Sequence, residues 1–262
     1  MRLKTLQLLA GLVLAGLAQA QVGTAPPDGR GRAPVDLTGY WVAVVTEDWR
    51  YRMMTPDKGD FTGIGLNAAG RTVMQKWDPA KDQANGEECR AYGAGAIMRV
   101  PTRLHISWQD GSTLKVETDA GQQTRLLHFG TAAAHEATPS WQGFSAANWE
   151  GTRARGGFGV TAGLPTTAGL PNAAAAPTQD GYLKIMTSQL RPGYLRKNGV
   201  PYGPATTVEE YFDSFKEPNG DVWLVVTSIV TDPEYLDQPF ITSSQFKKTD
   251  AAKWNPTPCQ AK

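Results

Sequence analysis

The chain has 262 residues, with 26 Lys and Arg, 25 Asp and Glu, and a formal net charge of +1. This balance argues against a nucleic-acid-binding face, which needs a clear basic excess. The sequence also contains no run of five like charges, so nothing in it indicates a polybasic membrane-binding tail. The length suits one β-barrel or β-sandwich domain with insertions and a sizeable core.

The N-terminus has the pattern of a secretory signal peptide. Arg2 and Lys4 precede an apolar run over residues 6–17, and Ala18 and Ala20 form a small-x-small cleavage pattern. The apolar run is too short to span a bilayer, and no stop-transfer segment follows it. We therefore expect cleavage after Ala20 and a periplasmic or secreted protein without a membrane span.

The next segments are a leader, a strand and a helix. Residues 21–35 are rich in Gly, Pro and Arg, which is typical of a flexible leader. The aromatic and β-branched residues 38–46 predict a strand, and residues 47–52 should cover its end or begin a second strand. Residues 67–78 predict a helix, because Asn67 can cap it and an apolar stripe at helical spacing follows.

The rest of the chain predicts antiparallel strands. Apolar residues alternate with polar ones over 103–108, 114–117 and 124–129, and Asp110-Gly111 is a favoured hairpin turn. Residues 152–180 lack bulky apolar side chains, so we expect a long mobile loop there. Later strands are predicted over residues 182–190, 206–215, 222–230 and 240–246.

Sequential hairpins favour a single all-β domain over residues 36–262, folded as a closed up-and-down barrel with one accessory helix. Closure removes exposed strand edges. A β-sandwich is the alternative. The two cysteines, Cys89 and Cys259, predict a disulfide in an oxidising compartment. Two separate buried thiols are the alternative, and neither cysteine stands in a recognisable nucleophile motif.

Three phrases in a shared order carry a family resemblance. They are residues 36–41 (DLTGYW), residues 141–145 (WQGFS) followed by Trp149-Glu150, and residues 232–236 (DPEYL) followed by Pro239-Phe240. They resemble a group of secreted bacterial proteins of undefined function, and the resemblance covers most of the chain after the leader. It implies a lipocalin-like β-barrel, which suggests a small-molecule pocket, and it supplies no catalytic residues.

A polar strand face offers the candidates for catalysis. If it points into the barrel, Glu117 or His105 could exchange protons and Arg125 could stabilise an anion, because buried ionisable groups have shifted pKa values. The alternative is a solvated outer face, as antiparallel sheets commonly have. No metal-ligand spacing or phosphate-binding loop is present in the sequence, so we expect neither a metal nor a cofactor.

Aromatic and basic residues offer the candidates for ligand binding. Trp49 and Arg50 could line a pocket mouth, or form a rim of salt-bridged charges. The loop over 191–202 has two tyrosines and three basic residues and could cap the barrel for an aromatic or anionic ligand, or pack as an ordered turn. The pocket candidates are Trp41, Trp49, Arg50, Trp108, Trp141, Tyr194 and Tyr202.

Three functions remain open from these residues. The first is an exported binding protein for a small, mostly apolar or aromatic organic molecule, because small barrels enclose such ligands. The second is a cofactor-free acid–base enzyme of the isomerase, dehydratase or lyase type in the same barrel. The third is a structural or interaction protein of the cell envelope, which an exposed apolar patch would favour.

Overall fold

The structure is a computed structural model that describes residues 28–130, 138–151 and 181–261. The predicted signal peptide, most of the predicted leader and the predicted mobile loop over 152–180 lie outside the described residues.

The described residues form eleven β-strands, and nine of them close into one barrel. In the barrel strands, buried positions largely alternate with more exposed ones, as expected where one face of a strand lines the core. The strands are β1 (Gly39–Val44), β2 (Arg103–Trp108), β3 (Thr113–Thr118), β4 (Thr124–Phe129), β5 (Phe144–Glu150), β6 (Tyr182–Ser188), β7 (Gly193–Arg196), β8 (Val200–Tyr202), β9 (Thr207–Lys216), β10 (Val222–Thr231) and β11 (Phe240–Thr249).

The barrel runs in the order β1-β11-β10-β9-β6-β5-β4-β3-β2. It closes because β1 pairs with β11 on one side, with Trp41 opposite Lys248, and with β2 on the other. The predicted all-β barrel is therefore confirmed. Apolar side chains fill much of its interior, and the largest of them that are fully buried are Trp41, Leu104, Ile106, Leu114, Leu127, Phe212 and Phe246.

One strand pair departs from the predicted up-and-down pattern. β4 and β5 are parallel, with Leu127 opposite Ser145. A parallel neighbour requires the chain to return to the same end of the sheet, so no tight hairpin can join these two strands. The sequence did not predict β5 as a strand, because its small and polar residues carry little β-propensity.

Three short helices precede β2: α1 (Trp49–Met53), α2 (Ala68–Gln75) and α3 (Pro79–Ala84). α2 confirms the predicted helix, and the Asn67 side chain caps it by accepting a hydrogen bond from the amide of Gly70. It is shorter than predicted. Pro79 follows it as the first residue of α3, the position where proline costs no hydrogen bond.

β7 and β8 form a separate two-stranded sheet. A second apolar cluster joins this sheet to α2 and to the end of the barrel, and it includes Leu66, Met74, Val200, Tyr202 and Phe240. The segment between β1 and β2 and the segment between β6 and β9 therefore pack together, outside the barrel core.

The predicted disulfide is confirmed. The Cys89 and Cys259 sulfurs are 1.99 Å apart, and the bridge ties the 3-10 helix Glu88–Tyr92 to the last described residues. Among the described helices, none has the length and apolar character needed to span a bilayer.

Candidate functional site

Three arginines come together where α1 meets the β7–β8 sheet. Arg52 is on α1, Arg99 ends the 3-10 helix Ile97–Arg99, and Arg196 ends β7. All three are buried, with relative exposures of 8%, 7% and 5%. Residues 47–52 therefore lead into α1 and not into a second strand. Arg52 lies on this helix and is buried.

Arg52 and Arg99 each have one carboxylate partner. Arg52 donates from Nε to the backbone oxygen of Arg99 at 3.0 Å and from Nη1 to Glu47 at 3.4 Å. Arg99 donates from Nη2 to Asp48 at 3.0 Å. The Nη2 group of Arg52 is buried and has no hydrogen-bond partner among the described residues.

Arg196 has no carboxylate within salt-bridge distance among the described residues. Its Nε and Nη1 groups are buried and have no hydrogen-bond partner there. Its guanidinium carbon lies 4.3 Å from the centre of the Tyr51 ring, a cation–π contact that orients the group without using its N–H donors.

These side chains line a cavity of about 30 Å³, which we call the arginine cavity. Four cationic side chains and no carboxylate line it among the described residues. Its lining consists of Tyr51, Arg52, Met54, Ala91, Ala96, Arg99, Val100, Pro101, Leu195, Arg196 and Lys197.

The positive charges in this site repel one another. Burial and the charge of Arg99 lower the pKa of Arg52, and the same two causes lower the pKa of Arg196. The charges of Asp48 and Asp60 offset this only in part for Arg196. Because arginine stays protonated in proteins, the site keeps its charge and favours an added anion.

An open groove of about 110 Å³ adjoins the arginine cavity and shares Tyr51 and Met54 with it. Arg50 also lines this groove, with its guanidinium carbon 6.0 Å from the Tyr51 ring centre. The cavity and the groove therefore adjoin through Tyr51 and Met54, and the cationic side chains are concentrated at the cavity end.

A second charged cluster lies inside the barrel, and we call it the interior belt: Arg125, Ser145, Thr187, Glu210 and Ser228. Arg125 binds Glu210 through both terminal nitrogens, and both side chains are at most 1% exposed. The hydroxyls add hydrogen bonds to this ion pair, from Arg125 to Thr187 at 3.2 Å and from Ser228 to Glu210 at 3.5 Å. None of these residues lines the arginine cavity.

The structure does not bring the three predicted catalytic residues together. His105 and Glu117 face each other on the outer surface of β2 and β3, with His105 Nδ1 3.0 Å from a Glu117 oxygen. Arg125 lies opposite Val116, so it points into the barrel. The sequence analysis placed Arg125 on the face of Glu117, but the register of β3 and β4 puts it on the other face.

Glu117 stays ionised on this outer face. Burial raises its pKa, but hydrogen bonds from Lys115 and His105 outweigh burial and lower the pKa below its ordinary value. An ionised carboxylate in a salt bridge on the barrel exterior is what the alternative interpretation of this face expected.

The predicted ligand-binding aromatics are spread over the described part of the molecule. Trp41 is fully buried in the barrel core, with its indole nitrogen donating to the backbone oxygen of Leu37 at 2.9 Å. Trp108 packs against Phe129, with ring centres 5.5 Å apart. Trp49 is 62% exposed on α1.

The aromatics around the 191–202 segment also take separate places. Trp141 is covered by the guanidinium of Arg191 at 4.1 Å, and the Tyr194 hydroxyl donates to Asp82 at 2.9 Å. Tyr202 is fully buried in the second apolar cluster. Of the predicted ligand-binding residues, only Arg50 lines the arginine cavity or the adjoining groove.

The sequence did not indicate that the three arginine side chains lie together in the fold. Arg52 and Arg196 stand in the two basic-aromatic segments that the sequence analysis singled out, but nothing in the sequence connects those segments. Arg99 follows Ala-Ile-Met and precedes Val, and a lone arginine within such an apolar run could have indicated a buried charge.

Comparison of the chain with protein-family models, with curated proteins and with solved structures returned no match. The resemblance of the three sequence phrases therefore remains an expectation.

Proposed function

We propose that this protein is an exported binding protein for a small organic molecule, which it holds by an anionic group in the arginine cavity. The observation that carries the proposal is the set of buried, unpartnered donors on Arg52 and Arg196. A buried N–H group without a partner costs about 1–3 kcal/mol, and more when it is charged. An anion that accepts these hydrogen bonds removes that cost.

The chemistry of arginine selects the kind of anion. Guanidinium groups bind carboxylates and phosphates through short, charge-assisted hydrogen bonds, and they are more weakly hydrated than ammonium groups. Tyr51 contacts the Arg196 guanidinium from one face without using its N–H donors. These features support a carboxylate or a phosphate monoester as the bound group.

Export is part of the proposal. It is supported by the expected signal peptide and by the Cys89–Cys259 disulfide, since disulfides persist in oxidising compartments.

Isothermal titration calorimetry with octanoate, octyl phosphate and uncharged 1-octanol tests the proposal. We expect at least one of the two anions to bind and 1-octanol not to bind. Replacing Arg196→Met should weaken anion binding at least tenfold, because a charge-assisted pair is lost from a buried site. Arg191→Met is the matched control, because Arg191 is exposed and does not line the cavity.

Two results would contradict this function. Equal binding of 1-octanol and the anions would show that charge is not recognised. Equal loss of binding in the Arg196→Met and Arg191→Met variants would show that the arginine cavity is not the site.

A further inference from the structure

Three exposed apolar side chains stand beside the arginine cavity. Trp49 is 62% exposed, Met53 59% and Met54 65%. They are half of the six large exposed apolar side chains in the described part of the chain, and they lie within six consecutive residues. We call them the apolar ridge.

The helix geometry keeps this ridge compact. Trp49 and Met53 are four residues apart on α1, so they share one face and lie about 6 Å apart along the helix axis. Arg52, on the same short helix, is buried and lines the arginine cavity. One helix therefore supplies both a buried cation and exposed apolar side chains.

The size of the arginine cavity limits what it can enclose. A volume of about 30 Å³ holds roughly two water-sized groups, which suits the oxygen pair of a carboxylate or phosphate. The rest of a larger ligand extends beyond the cavity, and the groove that shares Tyr51 and Met54 with the cavity offers one direction for it.

The groove disfavours a second anionic group on the ligand. Asp57 and Asp60 line it, and hydrogen bonds from Thr62 lower the pKa of Asp60, so that carboxyl group stays ionised. Like charges repel, so a dicarboxylate is disfavoured in this direction. An uncharged apolar chain lying over Met54 meets no such repulsion.

We propose that the ligand is an anionic amphiphile with a single alkyl chain. Its carboxylate or phosphate head binds in the arginine cavity, and its chain crosses Met54 to lie on Met53 and Trp49. Methionine side chains adapt to flexible apolar ligands, which suits an alkyl chain. This inference rests on the proposed function and adds the class of ligand to it.

A chain-length series tests the inference. Acetate, butyrate, octanoate and dodecanoate, each below its micelle concentration, are titrated into the full protein by calorimetry, and octyl phosphate is compared with octanoate at equal chain length. We expect affinity to rise about twofold for each added methylene, because a chain on an exposed ridge is only partly buried. The comparison of octanoate with octyl phosphate shows whether the site prefers a carboxylate or a phosphate head group.

Trp49→Ser and Met54→Ser locate the chain. Both substitutions should flatten the chain-length dependence, and Trp49→Ser, which does not line the arginine cavity, should leave acetate affinity unchanged. Ile241→Ser is the matched control, because Ile241 is 63% exposed on β11, outside the ridge and the cavity, and this change should leave the series as it is.

The outcomes separate the two proposals. Affinity that rises with chain length and depends on Trp49 and Met54 supports the amphiphile. Anion binding that is independent of chain length, or equally affected by Ile241→Ser, overturns the amphiphile and leaves the anion-binding function standing. No binding of any anion at any chain length overturns both.

Discussion

The interior belt and the arginine cavity are both built around buried arginines, yet they differ in charge balance. In the belt, Arg125 meets Glu210 through both terminal nitrogens, and hydroxyls from neighbouring strands add further hydrogen bonds. In the cavity, Arg52, Arg99 and Arg196 share two carboxylate partners among the described residues, and Arg196 has none within salt-bridge distance.

This difference separates a structural charge from one that is available to a ligand. A buried ion pair with matched hydrogen bonds is complete and has no free donor to offer at its paired ends. A buried guanidinium without acceptors is incomplete, so its free energy falls when an anion arrives. Arg125 also has a buried Nε group without a partner, so what distinguishes Arg196 is that no carboxylate lies within salt-bridge distance of it among the described residues.

The largest expected effect comes from breaking the matched pair. Arg125→Met leaves Glu210 buried and unpaired, so we expect a loss of about 3–5 kcal/mol in the free energy of unfolding. Urea denaturation measures it. The double variant Arg125→Met/Glu210→Met should recover most of the loss, because two apolar side chains replace the whole pair. A single variant that unfolds like the parent protein would show that the pair is not buried as described.

The second-largest loss in the free energy of unfolding is expected from removing the disulfide, which is attached close to the wall of the arginine cavity. Cys89 precedes Ala91 of the cavity wall by two residues, and the bridge closes a loop of 170 residues. Replacing both cysteines by serine should cost about 2–5 kcal/mol. Hydrogen exchange should rise first around residues 88–99 and only later in the barrel strands. Uniform loss of protection would contradict a local effect.

Arg196→Met should change the free energy of unfolding much less than Arg125→Met does. It removes a charge that Arg99 repels, and it loses the contact with Tyr51 and the attraction of Asp48 and Asp60. We expect the free energy of unfolding to change by less than about 1 kcal/mol, measured in urea beside Arg125→Met. A loss as large as that of Arg125→Met would mean that Arg196 has a structural partner and that the two regions do not differ.

The smallest effect is expected on the barrel exterior at Glu117. Its pKa in the folded protein lies below its ordinary value, so its contribution to stability is present above that ordinary value and disappears as pH falls through the folded pKa. Glu117→Gln should therefore be slightly less stable than the parent at pH 7 and equal to it in strong acid. The difference in urea midpoint across this pH range measures it, and a difference that grows in acid would contradict the assignment.

Much of the fold could be predicted from local patterns. The alternation in β2, β3 and β4, the Asn67 cap of α2 and the two cysteines each carry their structural meaning within a few residues or in one pairing. The parallel β4–β5 pair could not be predicted, because these strands are joined by a long connection and not by a tight hairpin turn that fixes their direction.

The site could not be predicted, because it depends on register and on long-range packing. One residue of register decides whether Arg125 shares a face with Glu117 or with Val116. Arg52, Arg99 and Arg196 come from three separate segments, and only the packing of α1 against the β7–β8 region brings them to one cavity. Local sequence patterns can single out each arginine, but they cannot indicate that the three side chains line one cavity.

Nuclear magnetic resonance of the arginine side chains tests the contrast between the two regions most directly. The Nε–H signals of Arg52, Arg196 and Arg125, assigned with single Arg→Met variants, are followed while octanoate is added. We expect the Arg196 and Arg52 signals to shift and saturate together while the Arg125 signal stays in place. A shift of Arg125 with no change at Arg196 would contradict this expectation, since the anion would then bind at the matched pair and not in the arginine cavity.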